Sequence, residues 1–257
     1  AGTDERKVIS ITRDVVKLED QLAKGYIIER QRDGKREKLG IIKLPGFYDK
    51  CSSHCRILLE RFNKEKVDGV VLDLRHNGGG ILQEAVNLTG LFITRGPVVQ
   101  IKDYRGRQRV MSDVNVNVTY NGPLVVAVSH MSASASEIVA AALQDHGRAV
   151  IVGGKTTHGK GTVQQLLPLN RSFIANLAED SGQLKFTISK FYRINGATTQ
   201  RDGVTADIAL PSIMDYLGTS EGELPRALET DRIAPPEYKS LDPGSGSLTP
   251  PRPPASK

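Results

Sequence analysis

The spacing of apolar and polar positions changes several times along the chain, and each change marks an element. Short apolar-containing runs at 26–29 and 39–44 flank a Lys- and Arg-rich stretch containing Gly34, which is the pattern of a β-hairpin. Residues 7–11 alternate as a strand ahead of it. Ile57, Leu58, Leu59 and Phe62 are spaced as one face of an amphipathic helix over 55–63. Residues 67–74 (VDGVVLDL) read as a buried parallel strand that ends in the turn-forming Asn77-Gly-Gly-Gly80. A helix over 83–92, a strand over 98–103 and a polar hairpin region follow. The apolar strand 123–129 (PLVVAVS) leads into an Ala-rich helix over 136–146 that Gly147 closes. A third buried strand, 149–152, opens a glycine-rich loop over 153–161. Strand patterns return at 186–194 and 203–211, and from about Pro235 the chain is rich in Pro, Gly and Ser, as an extended tail is. Strands that alternate with helices predict an α/β core.

Composition narrows the class. The chain has 257 residues, 39% hydrophobic and 25% charged, enough for one substantial core with small appendages. No stretch approaches the roughly 18 uninterrupted apolar residues of a spanning helix. No secretory leader is legible in the first residues, and a processed chain would have lost one. Net charge is +6, but the cations are spread along the chain, and the densest cluster (RQRDGKREK, 30–38) has acids interleaved. It reads as a solvated hairpin and gives nucleic-acid binding little weight. Cys51 and Cys55, in Cys-Ser-Ser-His-Cys with His54, invite a metal reading, but three candidate ligands do not complete a site. One helical turn apart, they are also poorly placed for a disulfide. Solvated or half-buried thiols at a helix start are the expectation.

Three segments carry candidate chemistry. SASAS (132–136) followed by Glu137 lies between a buried strand and a helix, so a tight turn of small residues can present a serine at a helix N-terminus. Free amides there favour an oxyanion. The same pattern also describes a helix cap, with Glu three residues after Ser134. The second segment, TTHGKGTVQ (156–164), sets Lys160 between two glycines after a buried strand. A lysine serves as a base for serine only when desolvation or a nearby cation depresses its pKa. The alternative is a phosphate-binding loop, but Lys160 is followed by Gly161, not by Ser or Thr. The third segment, DLRHNGGG (73–80), ends a parallel strand where α/β sites gather, and its glycines let backbone amides approach a substrate.

In combination, VDGVVLDLRHNGGG, GPLVVAVSHMSASASEIVAAALQDHGRAVIVG, GKGTVQQLLPL, KFYRINGATTQRDGVTADIALP and the upstream KLGIIKLPGFY resemble the carboxy-terminal processing (tail-specific) proteases of bacteria and chloroplasts. These stretches span roughly 39 to 211 and run in that family's order. The resemblance implies a crotonase/Clp-protease-like α/β core of parallel strands and helices with β-hairpin appendages. It implies a serine endopeptidase with Ser134 as nucleophile, Lys160 as general base and Gln164 orienting the lysine. The oxyanion hole falls on amides of Ala135 and of the Gly79/Gly80 turn, and Arg75, Glu137, Asp145 and Thr157 occupy supporting positions. No metal and no cofactor are implied. Partners are protein or peptide substrates taken through apolar, unstructured C-termini, with an adaptor protein as a further candidate and no nucleic acid. The compartment is the periplasm or another exported one.

Two departures from the family pattern stand out. The loop 153–159 is about one residue longer than usual, and the run from Phe47 to Cys55 is shorter. The larger members carry a PDZ domain ahead of the core, and here only a stretch around 7–20 resembles its end. The expected organisation is a PDZ-end remnant and connecting hairpin at 1–38, a peptidase core at 39–212 and an extension at 213–257. A crotonase-like acyl-thioester enzyme is the main competing reading, and it leaves SASAS and GKG unexplained as a pair. A catalytically silent peptide-binding scaffold is the other, and intact Ser134 and Lys160 weigh against it.

Overall fold

The computed structural model describes residues 21–169, 182–218 and 220–237, together with Ser10. Its first element is a hairpin of β1 (Lys24–Arg32) and β2 (Lys35–Lys43), closed by Asp33-Gly34. Both turn residues have positive φ (50° and 75°), as a two-residue turn matching the right-handed strand twist requires. Helix α1 (Cys51–Lys64) and strand β3 (Gly69–Asp73) follow, then α2 (Leu82–Thr89), β4 (Gly96–Asp103) and β5 (Gln108–Asp113). Strand β6 (Leu124–Val128), helix α3 (Ala135–Asp145) and strand β7 (Val150–Gly153) complete the central unit. Strands β8 (Thr162–Pro168), β9 (Gln183–Tyr192) and the short β10 (Ile208–Ala209) come last. Two 3₁₀ turns, Ile213–Tyr216 and Glu221–Glu223, lie beyond them.

These strands form two sheets. The larger has the order β1-β2-β3-β6-β7-β10, parallel from β2 to β10, with β1 added antiparallel at one edge. The smaller is antiparallel, in the order β5-β4-β9-β8. Val70, Leu72, Leu124, Val126, Val128 and Ile151 are buried, which explains why β3, β6 and β7 read as continuous apolar runs. Helix α2 packs between α1 and α3. This is the expected α/β core with hairpin appendages.

Several expectations need correction. The buried face of α1 runs through Cys51, Cys55, Leu59 and Phe62, while Ile57 is 63% exposed. The cysteines are therefore free but fully buried thiols, not solvated or half-buried ones. They serve as small apolar residues, and burial pushes the Cys55 thiol up to about 12. Strand β8 was not legible because it is an edge strand with one largely exposed run, Gln164–Leu167, and so shows no buried alternation. The expected strand over 203–211 shrinks to β10, because the preceding backbone bonds to the glycine-rich loop instead of a ladder. Val204 N donates to Thr157 Oγ1 (2.8 Å), and Thr205 bridges Thr156.

The boundary expected after residue 38 falls inside β2, whose residues 39–43 pair with β3. Residues 220–237 likewise fold back on the core, where Ile233 N donates to Gly196 O and Tyr192 Oη to Asp231. The expected strand at 7–11 lies outside the described residues apart from Ser10, as does the tail after residue 237.

Helix α1 crosses β2 where Gly40 leaves room for Phe62. A Cβ at Gly40 would stand 2.5 Å from the Phe62 ring. Because Phe62 is fully buried, Phe62→Ala is expected to destabilise the fold by about 3–5 kcal/mol, read as a lower urea midpoint at unchanged slope.

Candidate active site

Strands β3, β6 and β7 are neighbours in one parallel sheet, so the loops leaving their carboxyl ends meet. Those loops are DLRHNGGG, the SASAS turn and the glycine-rich loop with Lys160. Hydrogen bonds lock them together. Ser132 Oγ donates to Leu74 O (2.8 Å), Ser136 Oγ to Asn77 O (2.7 Å), and His158 N to Ser132 O (3.0 Å). Ser129 Oγ donates to Arg75 O. Asn77, fully buried, is the hub of the first loop: its Nδ2 donates to Leu44 O (3.0 Å) and its Oδ1 accepts from Gly79 N (2.9 Å). The sequence marks Asn77 as opening a turn, but its role as hub depends on Leu44, 33 positions away, and is not legible from the turn pattern.

The three serines of SASAS separate cleanly. Ser132 and Ser136 are fully buried and spend their hydroxyls on backbone carbonyls of the first loop. Ser134, between them, is partly exposed and faces a cleft of about 350 Å³. Its backbone is strained, with φ 57° and ψ −112° at the N-cap of α3. Such a conformation costs roughly 1–3 kcal/mol and persists only where surroundings enforce it. Here Glu137 enforces it by accepting from Ser134 N (2.7 Å).

Glu137 is the centre of the site and has no solvent exposure. Besides Ser134 N, its carboxylate accepts from Thr157 Oγ1 (2.6 Å), Gly159 N (2.8 Å) and Lys160 N (3.0 Å). One side chain thus holds the backbone of the candidate nucleophile and that of the candidate base. Burial pushes its pKa up to about 7, against four donors that favour the anion.

Lys160 is half-buried and lines the same cleft as Ser134, Ala135, Gly80 and Gln164. Its Nζ donates to Gln164 Oε1 (3.0 Å), and among the described residues no hydrogen bond joins it to Ser134. Strand β8 lines the cleft along residues 162–166 and carries a register shift between Val163 and Gln164. Burial and the neighbouring Lys185 hold the Lys160 ammonium below its ordinary range, while Glu221 and Glu137 pull the other way.

The glycine turn abuts the serine directly. A Cβ at Gly79 would stand 2.8 Å from both Ala133 O and Ser134 Cβ, and Gly79 and Gly80 both have positive φ. The Gly79 amide is turned to Asn77, whereas Gly80 and Ala135 line the cleft. Arg75 forms a bidentate pair with Asp73 (2.9 and 2.8 Å) and stands outside the cleft. Asp145 ends α3 at Arg193 (2.6 Å), roughly 15 Å along the helix axis from Ser134. None of the five histidines is among the cleft-lining residues. His54 is bonded to the Tyr48 hydroxyl (2.9 Å), and among the described residues no group of three or more His, Cys, Asp or Glu side chains could hold a metal ion.

A serine at a strained helix N-terminus, beside a lysine loop and a glycine turn at the carboxyl edge of a parallel sheet, defines a serine-hydrolase-like layout. The profile of Peptidase family S41 matches residues 38–210, and the chain belongs to that family. It is 45% identical over 236 residues to a tail-specific protease of Haemophilus influenzae, covering 91% of this chain and 33% of that protein. It is 33% identical over 214 residues to a carboxy-terminal-processing protease of Bartonella bacilliformis, covering 81% and 45%. Among solved structures it is similar to a photosystem II D1 C-terminal processing protease, with TM-score 0.61, 28% identity and coverage of 72% of this chain and 48% of that one. The chain thus spans between a third and a half of the length of these relatives.

The Glu137 environment makes stability depend on pH. The folded carboxyl holds its proton up to about pH 7, while the unfolded one loses it near 4.5. The stability this group contributes is full below the lower value and is lost as pH rises through the upper one, on the order of 3 kcal/mol in total. Glu137→Gln removes the titration, so the stability gap between wild type and variant should narrow from pH 5 to pH 8 in urea denaturation. A gap that does not change with pH would contradict the assignment.

Proposed function

We propose that the chain carries the catalytic unit of a serine endopeptidase of the carboxy-terminal processing type, with Ser134 and Lys160 as its dyad. The observation that carries the reading is their shared cleft, with Glu137 bonded to the backbone of both. Neutral Lys160 takes the Ser134 proton as Oγ attacks the scissile carbonyl. The amides of Ala135 and Gly80 receive the oxyanion, since that of Gly79 is held by Asn77. The Lys160 ammonium then protonates the leaving amine, and the same amine deprotonates the water that releases the acyl group. Gln164 takes one N–H of Lys160, which leaves the nitrogen lone pair for the serine.

Strand β8 supports a binding mode for the substrate chain. It is an edge of the smaller sheet and lines the cleft, so an extended polypeptide can add to it through main-chain bonds. Substrates are unfolded or flexible proteins with apolar C-termini, read by a PDZ domain or an adaptor outside the described core. The compartment is the periplasm or an equivalent exported one. No described helix is long and apolar enough to cross a membrane.

Ser134→Ala and Lys160→Ala are each expected to abolish cleavage of an unfolded protein substrate, by at least about a thousandfold, with unchanged circular dichroism. Near-normal turnover by either variant defeats the dyad. The rate should rise from acid toward mildly alkaline pH, because Lys160 must lose its proton and its pKa lies below the ordinary lysine value. His76→Ala and His158→Ala should each retain turnover, and loss in either with the fold intact would point to a histidine base.

A further inference from the structure

The lysine loop is shaped from outside. Residues 199–201 run beside it: Arg201 N donates to Gly159 O (2.8 Å), and Gly161 N to Gln200 Oε1 (2.9 Å). The approach is close, since a Cβ at Gly161 would stand 2.7 Å from Gln200 N. Gln200 is fully buried, and its Nε2 donates to Glu221 Oε1 (3.1 Å). Glu221 also reaches the loop on the other side of Lys160. Its amide donates to His158 O (2.8 Å), and its carboxylate lies 3.5 Å from His158 Nε2. Glu221 thus grips the base's loop at 158 directly and at 161 through Gln200. Six residues earlier in the chain, the segment touches the nucleophile's turn, where Asp215 Oδ1 meets His130 Nε2 at 2.8 Å.

We propose that residues 213–218 and 220–223 form a strap across the outside of the loops that carry the dyad, in which Glu221 is a positioning residue that sets both the place and the protonation of Lys160, with Gln200 as its intermediary. This rests on the Ser134/Lys160 reading above. The strap belongs to a segment that sequence patterning assigned to an extension beyond the core. The charged groups facing Lys160 come from three elements: Lys185 on β9, Glu137 on α3 and Glu221 on the strap. His158, on the loop itself, faces Glu221, and the Arg201 guanidinium is turned to Glu229 (2.6 Å). Lys185 disfavours the protonated amine and Glu221 favours it, so the two oppose each other from elements that are not bonded to one another in sequence.

The test is the pH dependence of Ser134 labelling by a fluorophosphonate in the full-length protein, which needs no knowledge of the natural substrate. Glu221→Gln can still accept from Gln200 but carries no charge. Its acid limb should move to lower pH by about half a unit or more, because the ammonium loses a favourable neighbour. Lys185→Gln should move the limb the other way. Glu221→Ala, which also loses the bond to Gln200, should in addition lower the plateau rate at least about tenfold. Superimposable profiles for wild type and Glu221→Gln overturn the proposal. A strap that only stabilises the fold would lower the melting temperature and leave the profile in place, which also overturns it. Ser134→Ala labelled as fast as wild type is a separate failure, that of the dyad reading itself.

Discussion

Four hydrogen bonds converge on the buried carboxylate of Glu137, and the geometry around the cleft depends on them. A carboxylate without water must find its donors in the protein, and here those donors are backbone amides of Ser134, Gly159 and Lys160 with the hydroxyl of Thr157. Removing any one donor leaves a buried carboxyl oxygen short of a partner. The interaction therefore fixes two loops that have no covalent reason to adopt a common arrangement. It also supports a serine backbone at φ 57°, which a cap without such a partner would relax. Thr157 carries the restraint further, since its hydroxyl both donates to Glu137 and accepts from Val204 N.

The parallel sheet makes this convergence possible. Because β3, β6 and β7 are adjacent and parallel, their carboxyl ends deliver three loops to one edge. Serine hydroxyls then tie the second loop to the first, the Ser132 carbonyl and Glu137 tie the third to the second, and Asn77 fixes the first to Leu44. Glycine enters where backbones touch: at Gly79, against Ala133 and Ser134, and at Gly161, against Gln200. The antiparallel sheet contributes a different wall. Its edge strand β8 brings Gln164 to Lys160, and β9 brings Lys185.

Short-range pattern by itself determined much of this protein. The apolar runs of β3, β6 and β7 declared buried parallel strands because both faces of such strands are covered. The glycine clusters declared turns, and the order of NGGG, SASAS and GKG pointed to the family to which residues 38–210 belong. Tertiary structure decided what depends on contacts between distant residues. Which serine meets the cleft follows from where Ser132 and Ser136 find carbonyls, at Leu74 and Asn77, more than fifty residues away. The cysteines became core because α1 turned their face inward and left Ile57 outside, and one helix's spacing could not choose between those faces. Strand β8 leaves no mark in the sequence because an exposed edge has no burial to imprint a period. The environment of Lys160 is set by Glu137, Lys185 and Glu221, which lie 23, 25 and 61 positions away in the numbering, and only the folded chain brings their charges together.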